Sequence, residues 1–88
     1  MDIKFSLGQT VATQGIMGLL TEEEIVTLLN RHAAGDWGDL DEEDKELNKD
    51  ALINGERLFS SYNTPKGKVW VITEYDRSVT TVLSPDEY

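Results

Sequence analysis

The spacing of apolar residues changes at Asn54-Gly55, and this change constrains the fold more than any other feature of the chain. In residues 21–54 apolar side chains recur at three- and four-residue intervals, as on one face of a helix. After Gly55 they alternate with polar side chains, as in half-buried strands. Residues 58–63, 69–73 and 79–83 read as strands joined by short polar turns. The sequence therefore predicts an α+β fold whose last third is a three-stranded antiparallel meander.

Two or three helices are expected to pack on this small antiparallel sheet. The clearest begins at Thr21, whose hydroxyl can accept the N–H of Glu24 while the Glu24 carboxylate reaches back to the cap. It should end near Gly35. Its inner face is formed by Ile25, Leu28, Leu29 and His32. A weaker helix is predicted within residues 13–20, because two glycines there each cost roughly 1 kcal/mol relative to alanine.

A second strong helix is predicted from about Asp41 to Asn54. Acidic residues fill its first turn, where the helix dipole favours them. Gly55 can adopt the left-handed conformation that commonly ends a helix. Trp37 lies in the loop before this helix, and we expect it in the core, because tryptophan is usually highly buried. Asp44 is expected to share in capping the first turn, the alternative being a buried carboxylate.

The N-terminus should contribute to the sheet as well. Residues 3–7 alternate apolar and polar, which predicts a strand, and a turn at residues 8–9 could lead into a second strand at residues 10–12. In the meander, residues 69–72 are all apolar. Such a strand is buried on both faces, so we expect it to be central, with the helices covering one face of the sheet.

Length and composition set the broad class. A chain of 88 residues predicts a single domain covering residues 1–88. It contains no cysteine, which excludes a disulfide framework and a thiol nucleophile. The segment Met1-Asp2-Ile3-Lys4 lacks the features of a signal peptide, and no apolar stretch is long enough to span a bilayer. We therefore expect a cytoplasmic protein without membrane contact.

The net charge of −9 comes from one region of the chain. Residues 21–56 hold twelve acidic and three basic side chains, whereas the two ends are neutral. Such a surface repels phosphate, so direct binding of nucleic acid is disfavoured. We expect instead a partner with a basic surface, such as a protein that itself binds nucleic acid. A homodimer formed through an exposed edge of the sheet is a further expectation.

The best candidate binding surface is an acidic stripe on the second strong helix. At about 100° per residue, five acidic side chains share one stripe, and an apolar stripe lies about 100° away. The acidic stripe is Asp39, Glu42, Glu43, Glu46 and Asp50; the apolar one is Leu40, Leu47 and Ala51. The dense negative charge predicts docking on a basic protein, with mimicry of DNA as one form. The alternative is a solvated helix start enriched in acids for solubility.

A second hypothesis is a small hydrolase or ribonuclease-like site on the meander. Its residues would be His32, Arg57, Glu74 and Arg77, in a polar cluster that resembles the acid, arginine and tyrosine sets of small ribonucleases. The alternative is that Asp76 bonds its own turn and pairs with Arg77, while His32 is a core residue. The aspartates near residues 36–44 do not fit the ligand spacing of a calcium loop, so we predict no metal and no cofactor.

Two segments resemble a family of short bacterial proteins carried by plasmids and integrative elements. They are GDWGDLDEED at residues 35–44 and WVITEYDRSVTTVL at residues 70–83, and the likeness extends from about residue 31 to residue 88. The family has no established activity, so the resemblance supplies no catalytic residues. It implies a mobile-element context and favours an accessory role against host defence, where acidic mimics of DNA are common.

Overall fold

The computed structural model describes residues 3–88, and these form three α-helices and a four-stranded sheet. Met1 and Asp2, which also entered the prediction about a signal peptide, lie outside the described residues. The elements in chain order are β1 (Gln9–Ala12), α1 (Gln14–Leu19), α2 (Glu22–Ala33), α3 (Glu42–Asn54), β2 (Leu58–Thr64), β3 (Gly67–Thr73), β4 (Val79–Leu83) and a short 3₁₀ helix (Pro85–Glu87). The predicted α+β class is confirmed.

The strands lie in the order β1-β4-β3-β2. The predicted meander is confirmed, since β2 pairs antiparallel with β3 and β3 with β4. The expectation of a purely antiparallel sheet is wrong, because β1 runs parallel to β4 with Thr10 opposite Thr80. Three helices and two strands separate β1 from β4 in the chain, and this long connection allows the parallel arrangement.

The strand predicted over residues 3–7 is not formed, and β1 begins only at Gln9. The alternation arises from packing against the end of α2 instead. Lys4 donates its N–H to the carbonyl of Ala33 at 2.8 Å. The half-buried ring of Phe5 lies edge-on to His32, with the ring centres 5.2 Å apart. The two-residue period therefore marked the half-burial of Phe5 and Leu7 correctly, but not that of Ile3, which is 71% exposed, and not strand pairing.

The helix ends follow from local hydrogen bonds. Thr21 and Glu24 form the reciprocal capping box, with Glu24 donating its N–H to the Thr21 hydroxyl at 3.2 Å. Asp41 caps α3 by accepting the N–H of Asp44 at 2.8 Å. Gly55 ends α3 in the left-handed region, at φ 69°. The predicted limits of both strong helices are confirmed, and the weak helix is present as α1.

Helices α1 and α2 cover one face of the sheet, as predicted. The main core is formed by Ile16, Leu20, Leu28, Leu29, Tyr62, Val69, Val71 and Val82. On the opposite face Ile72 is buried beside Trp70, whose ring packs edge-on to Phe59 and Tyr88. Strand β3 thus lies inside the sheet with apolar side chains on both faces, which confirms its predicted central place. None of the helices within residues 3–88 has the length and apolar character needed to cross a bilayer.

Helix α3 lies along β2 at the edge of the sheet. Its Ala51 packs with Leu58 and Trp37 in a second, smaller cluster. Trp37 is only 8% exposed, so its predicted place in the core is confirmed. The Asn48 amide donates to the carbonyl of Phe59 at 2.6 Å and accepts its N–H at 3.2 Å. These two bonds satisfy backbone groups that point away from β3.

The loop before α3 closes the rest of this edge. Ser61 donates its N–H to the carbonyl of Trp37 at 3.2 Å, and Asp39 donates its N–H to the carbonyl of Ser61 at 2.7 Å. The bridge between Gly38 and Ser61 is parallel. The carboxylate of Asp39 accepts the N–H of Asn63 at 2.7 Å. The outer edge of β2 therefore has hydrogen-bond partners along most of its length.

Candidate functional site

Four acidic side chains form the outward face of α3, which we call the acidic face. Glu42, Glu43, Glu46 and Asp50 are all exposed. At about 100° per residue they lie roughly 120–160° around the helix from the buried Asn48. Two of them also make exposed salt bridges to lysines one turn along the helix, at 3.8 and 3.4 Å. Such pairs contribute little to stability. The helix dipole favours Glu42 and Glu43 in the first turn, so Glu46 and Asp50 have the smallest structural role.

Asp39 does not belong to the acidic face, although the sequence placed it there. It precedes the helix, and its carboxylate holds the loop against β2 through the N–H of Asn63. The assignment to the helical stripe is wrong because α3 begins only after its cap, Asp41. Asp44 is exposed and its N–H is capped by Asp41, so the alternative of a buried carboxylate is wrong as well.

The buried face of α3 differs from the predicted apolar stripe. Ala51 is buried and Leu40 packs on the second cluster, as expected, but Leu47 is 60% exposed. Asn48 takes the inward position instead, because its amide satisfies the edge of β2. Ile53 is 83% exposed on the same side as the acidic residues. Two aliphatic side chains therefore flank the acidic face, and sequence reasoning missed both.

His32 of the second hypothesis lies in the core, with no exposed surface. Its Nε2 contacts the Thr73 hydroxyl at 2.9 Å, which contacts the Thr80 hydroxyl at 2.7 Å. Thr80 must donate to the carbonyl of Leu7, 2.7 Å away, so Thr73 donates to Thr80 and accepts from Nε2–H. Nδ1 is then an acceptor for the Ser60 hydroxyl. The histidine is fixed as the neutral Nε2–H tautomer.

Burial also opposes protonation of His32. Loss of hydration lowers its pKa to about 4, and the positive charge of Arg77 acts in the same direction. The nearby Tyr62 is buried too, which raises its pKa to about 12, and its hydroxyl donates to the carbonyl of Asp36 at 2.6 Å. Both side chains are therefore neutral, hydrogen-bonded core residues rather than accessible acids or bases.

Arg57 and Glu74 pair on the other face of the sheet. Their salt bridge measures 3.2 Å, and Arg57 also donates to the hydroxyl of Tyr88 at 2.8 Å. The Glu74 and Tyr88 contacts raise the pKa of the guanidinium. Because side chains alternate along a strand, these residues lie opposite to the Ser60 and Thr73 side that contacts His32.

Arg77 binds backbone rather than a carboxylate. Its guanidinium donates to the carbonyls of Glu56 at 2.6 Å and Ala51 at 3.0 Å, which joins the second hairpin to the end of α3. Asp76 bonds the N–H and hydroxyl of Ser78, as the turn alternative predicted. The predicted pairing of Asp76 with Arg77 is not among the salt bridges of the described residues. The four residues of the hydrolase hypothesis are not brought into one cleft.

Asn48 is the structural residue that the sequence did not reveal. A buried asparagine in a helix looks like any other polar residue, and only its spacing from Ala51 and Leu52 placed it on the inner face. Within residues 3–88 no group of three or more His, Cys, Asp or Glu side chains is arranged to hold a metal ion. Comparisons with protein-family models, curated proteins and solved structures give no match for this chain.

Proposed function

We propose that the protein is a non-enzymatic acidic binding protein of a bacterial mobile element, acting in the cytoplasm. Its acidic face would bind the basic surface of a host protein that handles nucleic acid, as an inhibitor or a mimic of DNA. The observation that carries this proposal is the direction of Glu42, Glu43, Glu46 and Asp50, which are exposed and point away from the fold. Like charges one turn apart cost a few tenths of a kcal/mol per pair, so their retention favours a task outside the fold.

The spacing of these carboxylates fits one strand of a nucleic acid. Eight residues separate Glu42 from Asp50, which corresponds to about 12 Å along the helix axis. The carboxylates are unevenly spaced, but their mean axial spacing of about 4 Å is close to the rise of about 3.4 Å per phosphate along one DNA strand. The acidic face therefore suits a basic groove that follows a single phosphate backbone better than one that surrounds a whole duplex.

The flanking aliphatic residues add a second kind of contact. Leu47 and Ile53 are exposed beside the carboxylates, and their burial on a partner would release water as well as counterions. Burial of an aliphatic side chain is worth about 1.5–3 kcal/mol, more than an exposed salt bridge supplies. Complementary charge would then steer the encounter, while the two aliphatic residues would select a protein partner.

The proposal is tested with a charge-reversed variant and a matched control. The variant Glu42→Lys, Glu43→Lys, Glu46→Lys changes the acidic face. The control reverses Glu23, Glu56 and Asp86, which are exposed elsewhere, so both proteins lose the same amount of negative charge. Partners are recovered from a bacterial lysate at low and high salt, and each purified partner is then titrated with all three proteins.

The expected result is a loss of affinity of at least about tenfold for the acidic-face variant and a shallower salt dependence, with the control close to wild type. A recovered partner should also release its bound nucleic acid when the wild-type protein is added. If both triple variants weaken binding equally, only the total charge matters and the acidic face is not the site. If neither variant changes the affinity or its salt slope, the proposal is wrong.

A further inference from the structure

The outer edge of β1 is an open end of the sheet. Gln9 donates its N–H to the carbonyl of Ser78 at 2.9 Å, and Thr13 donates to Val82 at 3.1 Å. Because backbone groups alternate along a strand, the N–H and C=O of Thr10 point away from β4. β1 is the terminal strand of the sheet formed by residues 3–88. An open edge of this kind can accept a further strand.

The sequence around this edge lacks the features that usually protect one. Residues 8–20 contain no charged side chain and no proline, in a chain in which 28% of residues are charged. Natural edge strands are commonly guarded by lysine, by proline or by a covering loop. At the other end of the sheet, Asn48 and Asp39 provide such a cover. The contrast leaves the short length of β1, four residues, as its protective feature.

An apolar groove runs beside the open edge. It lies between β1 and α2, has a volume of about 220 Å³, and is lined by Ala12, Ile25, Val26 and Leu29. Val26 is 47% exposed, so part of the apolar lining faces solvent. The volume is below the roughly 300 Å³ at which small-molecule pockets begin, which suits one or two side chains of an extended peptide. An open edge beside a groove for alternate side chains is the arrangement of strand-addition sites.

The charge of the groove selects the peptide. Glu22 lines it, and Glu23 follows at the exposed start of α2. A lysine or arginine of the added strand would meet the Glu22 carboxylate. A second copy of this chain would instead bring another acidic α2 start to the same face of the joined sheet, between molecules of net charge −9 each. Electrostatics therefore favours a basic strand over self-pairing.

We propose that the outer edge of β1 and its groove bind an extended, basic peptide segment of a partner protein as a fifth strand. Aliphatic side chains of the segment enter the groove, and a basic side chain pairs with Glu22. β1 is only four residues long, so the backbone bonds are few and the affinity is modest without the groove contacts. This site is at the opposite end of the sheet from the acidic face and does not depend on the function proposed above.

The test uses three synthetic probes and amide NMR. The basic probe is acetyl-Val-Thr-Val-Thr-Lys-amide, which places both valines and the lysine on one face of an extended strand. The acidic probe replaces the lysine by glutamate, and the third is the basic probe with alternate backbone nitrogens methylated. The protein variants are Thr10→Pro, which removes an outward N–H, and Val26→Lys, which places a positive charge in the groove. Met17→Lys is the matched control, because Met17 is 59% exposed and lies outside the groove lining.

The basic probe should shift the amides of β1 and the first half of α2, and it should bind at least about tenfold more tightly than either other probe. Thr10→Pro and Val26→Lys should each lose at least about tenfold in affinity, whereas Met17→Lys should change it by less than about twofold. Reversal of the acidic face should leave these values unchanged at moderate salt.

Three outcomes would overturn the proposal. The acidic probe could bind with the same affinity as the basic one, which would show that Glu22 plays no part in binding. The shifts could map outside β1 and α2. Finally, all three probes could fail to bind. Sedimentation would then distinguish two explanations. A dimer that dissociates in the Thr10→Pro variant would mean that a second copy covers the edge, whereas a monomer would mean that the edge accepts no strand.

Discussion

The two ends of the sheet are built in opposite ways. At β2 the backbone groups that face outward are bonded by the Asn48 amide, the Asp39 carboxylate and the loop at Trp37. At β1 the corresponding groups of Thr10 face the surroundings beside an apolar groove. An edge that is closed by several separate devices contributes to the fold, whereas an edge left open is available for function.

The comparison also gives the segment at residues 35–44 a structural role. Asp36 accepts the N–H of Gly38 at 3.1 Å and pairs with Arg31 at 2.7 Å, and these contacts lower the pKa of its carboxyl group. Trp37 fills the second core cluster and Asp39 bonds the edge of β2. Residues 36–39 of this segment therefore close the sheet, whereas its later acidic residues Glu42 and Glu43 belong to the exposed first turn of α3.

The largest loss of stability is expected from Gly38→Ala, which would push the loop before α3 away from the edge of β2. Gly38 has a φ of +74°, and an added Cβ would collide with the carbonyl of Ser61 and the ring of Tyr62. The left-handed conformation costs alanine about 1 kcal/mol, and overpacking against backbone costs about 3 kcal/mol more at most. We expect a loss of about 4 kcal/mol in the free energy of unfolding, measured by urea denaturation.

Gly55→Ala is the control for this prediction. Gly55 has a similar φ of +69°, but nothing lies within 4 Å of an added Cβ. The Gly55→Ala variant should lose only about 1 kcal/mol in the free energy of unfolding, from the backbone conformation alone. Equal losses in the two variants would mean that the close approach of the loop to β2 contributes nothing, and the closed edge would then lose its main support.

Acid should weaken both ends of the sheet together, because one chain of hydrogen bonds links them. It runs from Ser60 in β2 through His32, Thr73 and Thr80 to the carbonyl of Leu7 beside β1. The pKa of His32 is about 4 in the folded protein and about 6.5 unfolded. The contribution of neutral His32 to the free energy of unfolding is therefore complete above pH 6.5. It falls by up to about 3 kcal/mol as the pH decreases to 4, because the unfolded chain binds a proton that the folded protein does not.

The variant His32→Gln isolates this effect, because glutamine stays neutral at every pH. It should be less stable than wild type at pH 7, since its amide does not reproduce the ring contacts. Its stability should vary less between pH 6.5 and 4, so the difference between the two proteins should shrink as the pH falls. Parallel curves for both proteins over that range would show that His32 does not titrate there.

The sequence predicted those parts of the fold that depend on local patterns. The capping box of Thr21, the cap at Asp41 and the end at Gly55 are all set within one helical turn. The meander followed from short turns between neighbouring strands. The parallel pairing of β1 was not predictable in this way, because it depends on where the chain returns after three helices.

The candidate surfaces were predicted only in part. Acidic spacing located Glu42, Glu43, Glu46 and Asp50, but the rotation of α3 depends on tertiary contacts, including that of Asn48 with Phe59 and the packing of Ala51 in the second cluster. That contact turned Leu47 outward and produced the mixed surface. The open edge could not be read from the sequence, since an edge strand is defined by which neighbour it lacks.

The smallest loss of stability is expected from Thr10→Pro at the open edge of β1. Asn63→Pro at the closed edge of β2 is the matched comparison. Both residues are exposed and lie on terminal strands, and each change removes one outward N–H. Asn63 loses a charge-assisted bond to Asp39, so its variant should be about 2 kcal/mol less stable. Thr10 loses no bond within the fold, and its variant should cost less than about 1 kcal/mol in urea denaturation. A larger loss for Thr10→Pro than for Asn63→Pro would show that the β1 edge is needed for folding, and the distinction between a structural and a functional edge would fail.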